Sequence, residues 1–128
     1  MKAAVVLAAF VLLASVAHAQ ATAEGNQVFL ESNVQERPEI VSGPRLQYPD
    51  LLRQTGVQGR VVVQFIVDTL GRAEPASVKV IESTNRGFDQ SAKSYILRAM
   101  FRPGRDHGKS VRVLMNVPVD FKITESRG

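Results

Sequence analysis

The stretch VRVLMNVPVDFKI, residues 111–123, limits what this chain can fold into more than any other. Every odd position is apolar (Val111, Val113, Met115, Val117, Val119, Phe121, Ile123), while Arg112, Asn116, Asp120 and Lys122 fall among the even ones. A period of two sustained over thirteen residues is a β-strand with one face in a core, and it is long for a strand. Pro118 leaves the pattern intact but not the chemistry. Proline has no N–H to give to a ladder, so the strand lies at a sheet edge or carries a bulge. An edge strand presents a row of peptide groups with which another chain can pair.

A second alternation, RVVVQFIVD, supplies a neighbour: Val61, Val63, Phe65 and Val67 are inward positions between polar or outward ones. The turn TLGRAEP, with Gly71 and Pro75, joins it to a further strand, SVKVIE, with Val78 and Val80 inward. Two segments carry a helical period instead. In LQYPDLLRQTGVQG, residues 46–59, Pro49 suits the first helical position and Asp50 favours the first turn. Leu51, Leu52 and Thr55 are expected to face the sheet, and Gly56 is expected to end the helix in a left-handed conformation. Over residues 88–101, Phe88, Ala92, Tyr95, Ile96 and Ala99 form one apolar stripe, stopped by Pro103-Gly104. The expected fold is α+β: a three-stranded antiparallel sheet with two helices on one face, with one further short strand available from the N-terminal leader.

The first nineteen residues read as a secretory signal: Lys2, an apolar run from Ala3 to Ala17, and Ala17-His18-Ala19 before the cleavage point. The run is shorter than the roughly twenty residues a membrane-spanning helix needs; the rival reading is an uncleaved inner-membrane anchor. The chain then divides into the signal 1–19, an extended leader 20–43 and a folded domain 44–124. Without Lys2, 15 Lys+Arg face 12 Asp+Glu, an excess too small to indicate nucleic acid, which export also disfavours. There is no cysteine, so disulfides and thiolate metal sites are excluded. An exported chain without disulfides suits a bacterial periplasm.

Catalytic chemistry is sparse. His18 goes with the signal, and His107 stands in the loop RPGRDHGKS beside Asp106. One loop histidine builds neither a zinc site nor, next to an adjacent aspartate, a catalytic triad. No catalytic, metal-binding or cofactor-binding residues are assigned, and the chain reads as a non-enzyme; a small hydrolase resting on His107 is the weakest alternative. Arg98, Arg102, Arg105, Lys109 and Arg112 form a basic run, read first as a solvated helix end and loop and second as a lure for an acidic partner segment or a membrane surface.

Taken in order, these residues resemble the C-terminal domain of the TonB family of periplasmic energy transducers. The resemblance starts at Gln47-Tyr48-Pro49 and runs through Gly56, Gly59, Val61, Val63, Phe65, Val67 and Gly71. It continues through Phe88-Asp89 and Phe101-Arg102-Pro103-Gly104 to the terminal VPVDFKI, about residues 44–123 in all. It implies a protein–protein module that receives the TonB box, a short extended segment of outer-membrane TonB-dependent receptors, as a strand beside the last strand. Val113, Leu114, Met115, Asn116, Val117, Val119 and Phe121 would supply that edge, with Gln47, Tyr48 and Pro49 nearby. A full transducer also has a membrane anchor working with the ExbB–ExbD motor and a long proline-rich spacer. Here the apolar segment looks cleavable, and about 25 residues before Pro44 reach at most roughly 90 Å. A periplasmic binding module is therefore the leading expectation, ahead of a short anchored transducer and of a strand-exchanged homodimer.

Overall fold

The computed structural model describes residues 26–124; the signal reading of residues 1–19 lies outside them. Seven strands and two helices follow one another: β1 (Val28–Leu30), β2 (Glu39–Ser42), α1 (Asp50–Gln54), β3 (Gly59–Val67), β4 (Lys79–Ser83), α2 (Asp89–Arg98), β5 (Met100–Arg102), β6 (Gly104–Asp106) and β7 (Lys109–Phe121). The main sheet runs β1-β7-β3-β4, with β6 paired to the start of β7; β2 and β5 form a separate two-stranded sheet. The expected three antiparallel strands are its centre, β4-β3-β7, and the leader contributes β1, which lies parallel to β7.

The two alternating segments pair with each other without a slip, from Gly59↔Phe121 to Val67↔Val113. This register puts every inward residue on one face. Val61, Val63, Phe65, Val67 and Val113 are completely buried, and Met115, Val119 and Phe121 nearly so. Against that face α2 lays Ala92 and Ile96, with Phe88 and Ala99 just outside its ends, all completely buried as the stripe predicts. Phe88 stacks on Phe121 at 4.3 Å between ring centroids, and Phe65 meets Phe101 at 5.4 Å. Each large side chain so buried contributes roughly 1.5–3 kcal/mol. Ile123, the last member of the alternation, lies beyond β7 and is exposed.

Four local expectations change. Pro49 is the residue before α1, with extended backbone (ψ 130°), and Asp50 is the first helical residue. Only Leu52 packs on the core; Leu51 is 72% exposed, since adjacent helical residues point about 100° apart, and Thr55 is exposed too, its hydroxyl donating back to the Leu51 carbonyl at 2.8 Å. Gly56 ends the turn in the left-handed region (φ 72°), as expected. The second helix stops at Arg98, three residues early. Ala99 is extended, and Phe101 is drawn into β5, where it pairs with Ile40 and donates its N–H to the Gly71 carbonyl at 2.8 Å. Arg102 is held extended by the proline that follows it. Finally, RPGRDHGKS is a hairpin: Asp106 pairs with Lys109, and His107 (φ 51°) and Gly108 (φ 77°) make the two-residue turn, which has positive φ at both corners as tight hairpins prefer.

Candidate functional site

The strand β7 has two edges, and β3 takes one of them along residues 113–121. Which peptide groups remain for the other edge follows from bonds on the far side of β3. The Arg60 N–H donates to Thr84 Oγ1 at 2.9 Å and its carbonyl accepts from the Thr84 N–H at 3.0 Å. The Ile66 N–H donates to Ser77 Oγ at 2.9 Å and its carbonyl accepts from Glu74. Even-numbered residues of β3 therefore face β4, and their partners on β7 (Asp120 opposite Arg60, Pro118 opposite Val62, Leu114 opposite Ile66) exchange no bonds with β3. The peptide groups of Leu114, Asn116, Pro118 and Asp120 point to the outer edge. Pro118, which has no N–H, stands where none is needed for the ladder to β3.

Part of that outer edge is already occupied. There β1 pairs with residues 112–114 in the register Phe29↔Val113, whereas the hairpin strand β6 continues on the β3 side, opposite residues 109–111. Arg112 ties β1 down: its Nη1 donates to the Asn26 carbonyl at 2.8 Å, while Nε and Nη2 grip both carboxylate oxygens of Glu74 at 2.8 and 2.7 Å. That bidentate hydrogen bond raises the arginine's pKa. Beyond Leu114, no strand among the described residues covers residues 115–121. The free edge offers two donors, the Asn116 and Asp120 N–H groups, and three acceptors, the carbonyls of Asn116, Pro118 and Asp120.

Beside this edge lies a groove of about 340 Å³, lined by Ile40, Pro44, Leu46, Tyr95 and residues 117–120. Its lining is mostly apolar and includes Asp120, whose carboxylate pairs with Arg60. Arg60 holds that carboxylate at 2.5 Å (Nε) and 3.1 Å (Nη2), and the hydrogen bond from Arg60 lowers the Asp120 pKa.

The ten residues expected at the site divide by what they present. Val113, Met115, Val119 and Phe121 turn their side chains into the core and their peptide groups to β3. Leu114 and Asn116 turn peptide groups outward, with Leu114 already beside β1. Val117 is half-buried and lines the groove. Gln47 is exposed, and Gln47, Tyr48 and Pro49 line an adjoining depression with Arg45, Arg53 and Ser91. Tyr48 is chiefly a packing residue: its ring meets Phe88 (5.5 Å, 89°) and Phe121 (5.8 Å, 83°) edge to face, and its hydroxyl donates to the Val57 carbonyl. Sequence reasoning missed Ile40, Pro44 and Leu46, which had no periodicity to mark them, and assigned Tyr95 only to the helix stripe.

The basic run is largely neutralised within the chain. Arg102 pairs with Glu39 at 3.2 Å, Arg105 with Glu36 at 4.0 Å and Arg112 with Glu74. His107 sits exposed at the hairpin tip, its Nδ1 2.9 Å from Asp106. Among the described residues, no helix is long and apolar enough to cross a membrane.

A mostly antiparallel sheet with two helices on one face and a last strand whose outer edge is half open defines a small α+β module. Residues 44–123 match the family described as Gram-negative bacterial TonB protein C-terminal, and the chain belongs to that family. It is 31% identical over 81 residues to "Protein tonB2" of Pseudomonas aeruginosa, an alignment covering 62% of this chain and 29% of that protein. The chain thus spans under a third of that relative's length. The solution NMR structure of the Pseudomonas aeruginosa TonB C-terminal domain superimposes with a TM-score of 0.57 and 27% identity, covering 70% of this chain and 90% of that one. The mixed α+β fold is shared between them.

Proposed function

We propose that this chain is a periplasmic interaction module of TonB-dependent transport. It receives the TonB box of an outer-membrane receptor as an added strand along the outer edge of β7, and it has no enzymatic role. The observation that carries this reading is the uncovered edge at residues 115–121 beside the apolar groove of Ile40, Leu46 and Tyr95. Strand addition supplies affinity through main-chain bonds and specificity through the side-chain pockets that flank them. Five ladder bonds at a net ~1 kcal/mol each fall short of the about −8 kcal/mol of a micromolar complex, so the groove must supply the rest. With β1 in place the partner begins at Met115, not Val113. Gln47, Tyr48 and Pro49 support the site from one side, Tyr48 by packing. A released module would bind receptors without transmitting force; coupling to an ExbB–ExbD motor would require an anchor.

Titration of the isotopically labelled chain with TonB-box peptides from the same organism, followed through backbone amides by NMR, tests this. Shifts are expected at Asn116, Asp120, Leu46 and Tyr95. Amides that stay unmoved at millimolar peptide would eliminate the receptor reading and leave self-pairing of the β7 edge, visible as a dimer in ultracentrifugation.

A further inference from the structure

The leader is fastened unevenly. From Val34 onward it is built into the domain. Val34 is buried in the core, and the two residues after it are tied to the hairpin. Glu36 exchanges both backbone hydrogen bonds with Arg105, at 3.0 and 2.9 Å, and the Gln35 side chain accepts from the His107 N–H at 2.9 Å. Pro38 is buried, and β2 then pairs with β5. Ahead of this anchorage β1 is held far less. It has three residues; Val28 and Leu30 are 36% and 52% exposed, and only Phe29 packs partly against the core. A single turn with no buried residue, Glu31–Asn33, joins the two parts. The leader is a fixed strap that ends in a loosely seated strand.

The lane in which β1 sits is the one that stays open further along. The alternation of one unbroken strand, Lys109–Phe121, puts the peptide groups of Arg112 and Leu114 in the same outward row as those of Asn116, Pro118 and Asp120. β1 fills the first two positions of that row and stops there. The seat is built to outlast its occupant. Arg112 is gripped by both carboxylate oxygens of Glu74, so its Nη1 stays beside the lane with a hydrogen bond to offer when the Asn26 carbonyl leaves. Leu30 is the Cα partner of Leu114, which is opposite Ile66, so aliphatic residues line up across the face opposite the helices. With Leu30 gone, Leu114 and Ile66 are left to receive another aliphatic side chain.

We infer that β1 is a displaceable strand. A partner segment long enough to run past Met115 takes its place beside Arg112 and Leu114, while residues 34–42 stay anchored and Glu31–Asn33 serves as the hinge. The inference rests on the strand-addition reading and adds a length threshold to it. A short segment fits the open edge with β1 seated. A longer one evicts β1 and gains the outward groups of Arg112 and Leu114 in exchange. Seated, β1 denies that stretch to unrelated strands, so the leader acts as a competitor within the chain.

The chain has no cysteine, so a single disulfide can pin β1 down. Leu30 and Leu114 are partners in neighbouring strands, which lie about 4.8 Å apart, within the roughly 4.4–6.8 Å that a disulfide spans between Cα atoms. The full chain carrying Leu30→Cys and Leu114→Cys is titrated calorimetrically, oxidised and reduced. The probes are seven-residue TonB-box peptides and the same peptides extended by three receptor residues at each end. Extended peptides are expected to bind the reduced form about tenfold tighter than the oxidised form, the scale of one or two ladder hydrogen bonds. Short peptides should bind both forms alike. In the unsubstituted chain only extended peptides should move the Phe29 and Leu30 amides by NMR, and Phe29→Ala should strengthen their binding several-fold. Extended peptides that bind both forms equally, or that leave the Phe29 amide unmoved, overturn the displacement while strand addition stands. No binding of any peptide to either form at millimolar concentration overturns both.

Discussion

Tyr48 shows how one residue can stand at a binding surface and still owe its identity to the core. Its ring closes an aromatic cluster with Phe88 and Phe121, and its hydroxyl satisfies the Val57 carbonyl that follows α1. Tyr48→Phe keeps the ring contacts and should cost about 1 kcal/mol for the lost hydrogen bond. Tyr48→Ala opens a cavity against two phenylalanines and should cost about 3 kcal/mol, both read from urea unfolding. If instead Tyr48→Ala left stability unchanged and abolished peptide binding, the ring would be a binding determinant first. Asp120 gives a second prediction at this scale. The Arg60 hydrogen bond favours its ionised form and lowers its pKa. The pair therefore stabilises the fold at neutral pH, and this contribution is lost as pH falls below the ordinary aspartate range through the lower folded midpoint. Both side chains are exposed, so the effect on stability is small. It should be visible as a carboxyl carbon NMR titration midpoint below that of an ordinary aspartate, restored upward in Arg60→Gln.

Among the elements, β3 and β7 were readable because nine and thirteen residues repeat a period of two often enough to be unmistakable. The stripe of α2 was readable for the same reason at its own period. The strands β5 and β6 have three residues each, too few to show any period, and they exist because their partners do. The hairpin after β6 was hidden because His107 occupies a corner usually held by asparagine, aspartate or glycine. The pairing of β1 with β7 could not be read from either strand alone; it is fixed by Arg112 reaching Glu74 and Asn26. The candidate edge was legible through Pro118, whereas its groove was not, since Ile40, Leu46 and Tyr95 meet only in the folded chain. The alternation of bonds along β7 makes a direct prediction for hydrogen exchange. The amides of Met115, Val117 and Val119, bonded to β3, should exchange slowly, and those of Asn116 and Asp120 quickly. Leu114 should be protected by β1, and Arg112→Gln should speed its exchange. Uniform protection along 114–120 would show the register to be wrong.

For the molecule as a whole, the proposed export sets the context in which the edge would work. Mass spectrometry of the native protein should give a mature N-terminus at Gln20; an intact Met1 or Lys2 would favour the anchored transducer. The leader then reaches the sheet through β1, so the same strand that can receive a partner also receives the chain's own beginning. Pro118 has a further consequence, for solubility. A domain with a half-bare strand edge is a template on which copies could stack into an endless ladder. Pro118 removes one of the three N–H donors that residues 116–120 would otherwise offer outward, which leaves too sparse a row to seed fibrous growth while still admitting one short segment held by side-chain grooves. The proline that marked the strand as an edge thus also guards it. If a partner strand adds here, as proposed, it meets an edge one donor short.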